Sequence, residues 1–184
     1  MPEITLLRQC APTLAGIKTG GMFIAEYDDE ESMQSDLDNL NMMFREKGLV
    51  VTCLRFRAGK ALIYVYRPCK LRNDLTCEEA RAILERYGYD VSDDVSCLDH
   101  LTGRISACQD FPHEVGLFLG YPPEDVKGFI EQGGRAYKAC GTWKVYGDVA
   151  EAEKLFHKYS KCTNVYLSCW EKGATLSRLI VSLH

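Results

Sequence analysis

The chain has 184 residues, of which 46% are hydrophobic and 26% charged, a balance that fits an ordinary globular domain and excludes disordered and fibrous architectures. A net charge of −4 leaves no overall cationic surface for non-specific nucleic-acid binding, and no apolar run approaches the roughly 18 residues of a membrane span. The N-terminus MPEITLLRQC lacks the apolar core of an export signal, so the expectation is one soluble, cytoplasmic domain over residues 1–184 that engages neither nucleic acid nor membrane, with its oligomeric state open.

In chain order, Cys10 to Lys18 is expected to be a helix with Pro12 in its first turn and Leu14 and Ile17 on one face, which puts Cys10 at the helix N-terminus. Gly20-Gly21 is expected to end it, and Met22 to Ala25 is a strand or a buried continuation. From Ser32 to Lys47 the residues Met33, Leu37, Leu40 and Phe44 recur at helical spacing, with Gly48 after the end. The β-branched and aromatic runs Leu49 to Arg57 and Ala61 to Arg67, joined by Ala58-Gly59-Lys60, predict a β-hairpin that Pro68 stops. Thr76 to Glu79 reads as a capping box ahead of a helix carrying Ala80, Ile83, Leu84 and Tyr87, and another helix runs through Leu98, Leu101 and Ile105.

The central stretch, Asp110 to Trp143, is expected to hold a short helix over His113 to Leu119, or a buried strand over Val115 to Leu119. A break at Gly120-Tyr121 follows, then a second helix initiated by Pro122 or Pro123 and ended by Gly133-Gly134. Asp148 with Glu151 reads as a capping pair for a long helix through Ala152, Leu155, Tyr159, Cys162 and Tyr166, basic on one face. Asn164 to Trp170 is open between helix and strand, and Leu176 to Leu183 either pairs with that strand or docks as an apolar segment. The fold class is α+β, an antiparallel β-hairpin or small sheet packed against several α-helices.

Nine cysteines are spread along the chain without a CxxC pair, so they are expected to be thiols, with no metal site of usual spacing. A thiolate is the attacking species in cysteine chemistry, and a helix N-terminus lowers a thiol's pKa. Cys10 has that expected position, His113 is the best placed of the histidines to accept its proton, and Glu114 is the candidate to orient the imidazole, with Asp125 or Asp148 as substitutes. This constellation points to a thiol-dependent hydrolase or transferase. The plainer reading makes Cys10 a small packing residue and His113-Glu114 a helix cap. His100 and His157 read as solvated helix-face residues.

A second, non-catalytic reading is a binding module for an anionic or flavin-type ligand. It uses Arg67, Lys144 and Lys161 as charges, the helix start after Gly147-Asp148 as a source of donors, and Trp143 or Tyr146 as a stacking surface. Neither GxxxxGK[ST] nor GxGxxG is present, so no phosphate loop of known type supports it.

The segments CAPTLAGIKTG, LIYVYRP, FPHEVGLFLGYPPEDVKGFI, WKVYGD and YSKCTNVY together resemble a bacterial family, domain-of-unknown-function family 3793, collinearly over nearly the whole chain. The resemblance implies a cytoplasmic bacterial protein with a place in redox or iron physiology and a flavodoxin-like redox protein as candidate partner. It implies no reaction and no cofactor.

Overall fold

The computed structural model describes residues 3–107 and 111–183. Cys108, whose thiol state was inferred above, Asp110 at the head of the central stretch, and His184 lie outside them. The chain gathers into two compact units, Met1–Cys69 with Lys161–His184, and Lys70–Ser160.

The first unit is built on a three-stranded antiparallel sheet of β1 (Gly20–Glu26), β2 (Val50–Arg57) and β3 (Lys60–Tyr66), in the order β1-β3-β2. Alternation decides which side is buried: Phe23, Ala25, Ala61, Ile63 and Val65 share a core with Leu6, Leu7, Cys10 and Leu14 of α1 (Glu3–Leu14) and with Met33, Leu37 and Phe44 of α2 (Glu30–Arg45). Asn41 of α2 binds the backbone N–H and C=O of Val51 at 2.9 and 2.8 Å, which fixes that helix against β2. The predicted hairpin is present. Its turn residues Ala58 and Gly59 have φ of +50° and +72°, the left-handed pair that matches a tight turn to strand twist.

Two expectations about this unit are corrected. The first helix starts at Glu3 and not at Cys10, and Pro12 lies inside its last turn. The reason is the run Leu6, Leu7, Cys10, Ala11 and Leu14, all buried, whose burial outweighs a proline placed near the end, where few backbone bonds are lost. Gly20-Gly21 does not end that helix but opens β1, and a Cβ at position 21 would lie 2.8 Å from Cys10 Sγ, so glycine lets strand and helix approach.

Pro68 both stops β3 and starts α3 (Pro68–Leu75), which passes at Lys70 into the second unit, where α4 (Glu78–Arg86) and α5 (Asp94–Ala107) follow. The capping box at Thr76 does not form. Cys77 is the N-cap of α4 without a side-chain bond, while Thr76 Oγ1 donates to the carbonyls of Arg72 and Asn73, which are left open at the end of α3. The central stretch contains a single turn, α6 (Val115–Phe118), then α7 (Pro123–Gln132), whose C-cap Gly133 has φ +58°; the strand alternative for 115–119 is not what forms. A small ladder, β4 (Ala139–Cys140) with β5 (Lys144–Val145), follows.

The long helix α8 (Val149–Glu171) begins in the second unit and ends in the first, with Asp148 Oδ1 accepting from Glu151 N at 3.1 Å as expected of a cap. Residues 164–170 are helical, because Tyr166, Leu167 and Trp170 pack on the core of the first unit from a helix already propagating. After α9 (Leu176–Leu179) the tail docks by Val181 N donating to Leu14 O at 3.1 Å. Among the described residues the eight cysteines are free thiols, and no helix is long and apolar enough to cross a membrane.

Candidate ligand-binding site

The second unit contains a cavity of about 360 Å³ lined by residues of α6, α7 and the β4–β5 ladder. Its making begins at the corner between the two helices. Tyr121 N donates to Gly116 O at 2.9 Å, and Gly120 takes φ +73°, so the chain reverses within a few residues. A Cβ on Gly116 would lie 2.8 Å from Val126 Cγ2 and 3.2 Å from Tyr121 Cδ2; the absent side chain is what seats the tyrosine ring.

Tyr121 then stacks on Trp143, ring centroids 4.8 Å apart at 29°, and Trp143 meets Phe156 edge-on at 4.5 Å and 76°. Such pairs contribute about 0.5–1.5 kcal/mol each beyond their burial. Trp143 is 7% exposed, and its indole N–H needs an acceptor there. Asp125, in the first turn of α7 and 3% exposed, supplies it: Oδ2 accepts from Trp143 Nε1 at 2.6 Å, and Oδ1 accepts from the backbone N–H of Tyr146 and of Gly147, both at 2.7 Å. Both carboxylate oxygens are thereby engaged, and α7 is tied to the segment that follows β5.

The remaining wall is Phe129, met edge-on by the His113 ring at 4.8 Å and 67°. Lys144 Nζ sits 5.7 Å from the Phe129 ring centre and 4.9 Å from that of Tyr137, and donates to Gly134 O at 2.7 Å. Where the cavity meets solvent stand His113, Cys140 and Thr142, all exposed. The site therefore offers flat aromatic surfaces, one fixed cation, and an imidazole, a thiol and a hydroxyl at its mouth.

Four residues drawn from two separate expectations, His113, Asp125, Trp143 and Lys144, thus line one cavity. The other candidates lie elsewhere. Tyr146 packs its ring where a side chain on Gly128 would be, 2.4 Å from that glycine's Cβ position, and its hydroxyl is buried with no hydrogen-bond partner among the described residues. Glu114 does not orient His113: at 1% exposure its Oε1 accepts from Tyr89 Oη at 2.9 Å and from Arg104 Nε, and its Oε2 is buried without a partner among the described residues. Burial and then the Glu114 charge push the Tyr89 phenol upward, so it stays a donor. His100 is half-buried and its Nε2 meets Tyr87 O at 3.0 Å, whereas His157 is exposed.

In the first unit, Arg67 is 1% exposed and donates to four carbonyls, Nε to Thr13, Nη1 to Lys47, and Nη2 to Leu14 and Val181, at 2.7–2.9 Å. It is a staple for α1, the end of α2 and the tail, and it has no open fork for a ligand. Lys161 is an exposed residue of α8. Cys10 lies mid-helix at 0% exposure, where burial pushes its thiol up to about 12 against the opposing pull of Lys18, and burial lowers Lys18 to about 8. The helix-start environment expected for this thiol does not exist.

Reading the residues in isolation passed over Phe129, Cys140 and the cavity-forming part of Tyr121. The only linear signal for them was the recurrence of aromatics at 121, 129, 137 and 143 across a segment otherwise explained by helix punctuation. Among the described residues no group of three or more His, Cys, Asp or Glu side chains could hold a metal ion.

A family model described as a protein of unknown function (DUF3793) matches residues 6–180. No curated protein and no solved structure matches the chain.

Proposed function

The chain belongs to the DUF3793 family, a membership that carries no reaction, and from the geometry of the second unit we propose that it is a binding module for a small, flat organic ligand held in the α6–α7 cavity. The observation that carries this reading is the wall of Tyr121, Trp143 and Phe129 around about 360 Å³ of space, with Trp143 held by Asp125 and Tyr121 stacked on it. That volume sits at the lower end of the range of roughly 300–1,000 Å³ usual for small-molecule sites, which suits a molecule of one or two rings. Aromatic walls supply burial and stacking, while a few polar groups at the mouth set orientation. Binding is favoured over thiol catalysis because the nucleophile must be a thiolate, and a fully buried Cys10 held near 12 remains a thiol at neutral pH.

The chain has two tryptophans, Trp143 and Trp170, so in a Trp170→Phe variant the fluorescence reports Trp143 alone. Titration with 4-nitrobenzoate and with 4-nitrobenzamide, both quenchers of indole emission, should give saturable quenching by at least one of them. Cys140→Phe, which fills the exposed mouth without entering the core, should abolish saturation while leaving the melting temperature unchanged. Linear quenching by both probes, the same in the Cys140→Phe protein, rejects the binding module.

A further inference from the structure

The polar groups of the cavity are unequal in charge, and we infer that its occupant is an aromatic monocarboxylate whose carboxylate pairs with Lys144. This rests on the binding reading above and adds the chemical class of the ligand. Among the described lining residues Asp125 is the one carboxylate, and its two oxygens already accept three N–H groups at 2.6–2.7 Å. Three of its roughly four lone-pair sites are thus taken by the protein itself, which leaves it little to offer a positively charged guest.

Lys144 is the opposite case. An ammonium carries three donors; one goes to Gly134 O at 2.7 Å, and the faces of Phe129 and Tyr137 hold the head by cation–π attraction at 5.7 and 4.9 Å. Position 134 has φ +73°, and a Cβ there would lie 3.1 Å from the Phe129 ring and 3.2 Å from Lys144 Nζ, so glycine at this turn is what admits the ammonium beside the ring. The cation is thereby pre-placed at the wall of an apolar cavity, where water competes weakly and a charge-assisted hydrogen bond is worth more than at a surface. His113 meets the same Phe129 ring and stands exposed beside it at the mouth.

The walls decide the rest of the molecule. A compact polyanion such as phosphate calls for several converging donors, and it would leave the faces of Tyr121, Trp143 and Phe129 without apolar contact. A flat ring bearing one carboxylate covers those faces and matches a single fixed cation. A neutral ring of the same shape would cover the faces equally and forgo the Lys144 pair.

The test uses 4-nitrobenzoate and 4-nitrobenzamide, which share ring and size and differ by one charge, titrated into the Trp170→Phe protein at pH 7. The acid should bind about tenfold or more tighter than the amide, the ratio that one hydrogen bond to a charged group supplies. Lys144→Met, which keeps the stem and removes the ammonium, should bring the two to about equal affinity by weakening the acid alone. Raising NaCl in the Trp170→Phe protein with Lys144 intact should weaken the acid and leave the amide unchanged, a readout that stands whether or not the Lys144→Met protein folds. Equal binding of acid and amide in the parent protein overturns the carboxylate assignment and leaves the binding module in place, as does a preference that Lys144→Met preserves. Saturation by neither probe rejects the binding module and the assignment with it.

Discussion

Asp125 illustrates how one carboxylate can tie two separate segments, α7 and residues 143–147, into a wall. Its partners are an indole N–H and two successive backbone N–H groups; without it the buried indole donor would lack an acceptor, a loss of about 1–3 kcal/mol, and the two half-buried backbone donors would add smaller losses. Asp125→Ala should therefore lower the unfolding free energy by on the order of 3 kcal/mol or more, read by urea denaturation, and should abolish saturable quenching of Trp143. A loss below about 1 kcal/mol would mean that water replaces the carboxylate without difficulty.

Cys10 and Lys18 give a residue-scale pH signature with opposite signs. The thiol has an ordinary value of 9.0 and is held near 12 in the native protein, so between those pH values the unfolded chain binds fewer protons than the folded one. The stability this thiol contributes is complete below pH 9 and declines above it, at a slope of up to about 1.4 kcal/mol per pH unit. Lys18 falls from 10.5 to about 8, so in that window the unfolded chain binds more protons and stability rises with pH. Across pH 9–11, Cys10→Ala should lose less stability than the parent protein, and Lys18→Met should lose more, as measured by denaturant midpoints. Parallel pH profiles for all three proteins would show that neither group changes its proton affinity on folding.

At the scale of elements, the hairpin was readable because its two signals agree: β-branched and aromatic strands, and glycine at the turn. Ala58 is the imperfect part of that turn, since φ +50° crowds its Cβ against the backbone at a cost of about 1–2 kcal/mol. Ala58→Asn, which makes the preferred Asn-Gly pair, should raise stability by about 1 kcal/mol, visible as a higher melting temperature. An unchanged or lower value would show the strain to be absorbed elsewhere.

The elements that were misread share a cause in competition between local and distant forces. Pro12 reads as a helix start, yet the buried run from Leu6 to Leu14 extends the helix upstream past it. Thr76 has the sequence of a cap, yet the unforeseen α3 ends beside it and takes its hydroxyl. Residues 164–170, open between helix and strand in the sequence, were not misread but decided by the same competition: α8 is already running and its apolar face finds a core. The Gly-Tyr-Pro-Pro corner was legible because its proline and glycine constraints are local and nothing contests them.

At the scale of the whole molecule, the chain divides its candidate chemistry between two units. The first holds Cys10, Arg67 and Lys161; there Cys10 is core and Arg67 a backbone staple. The second holds His113, Trp143 and Lys144 around one cavity. The resemblance to the family and the α+β class were both visible in the sequence, since they depend on collinear motifs and periodicity. Which charged residues remain open to a ligand was not visible. A lysine beside an aromatic cavity and an arginine bonded to four carbonyls look alike in a linear string, and three-dimensional hydrogen bonding separates them.

The most direct test of this account is a titration of ¹⁵N-labelled protein with 4-nitrobenzoate, followed by amide and indole N–H resonances. The account predicts that the Trp143 indole N–H moves together with the backbone signals of Phe129, Gly141 and Lys144, while the Trp170 indole and the amides around Arg67 stay in place. Perturbations centred on Arg67, Lys161 or Trp170, or no saturable shift at Trp143, would contradict it.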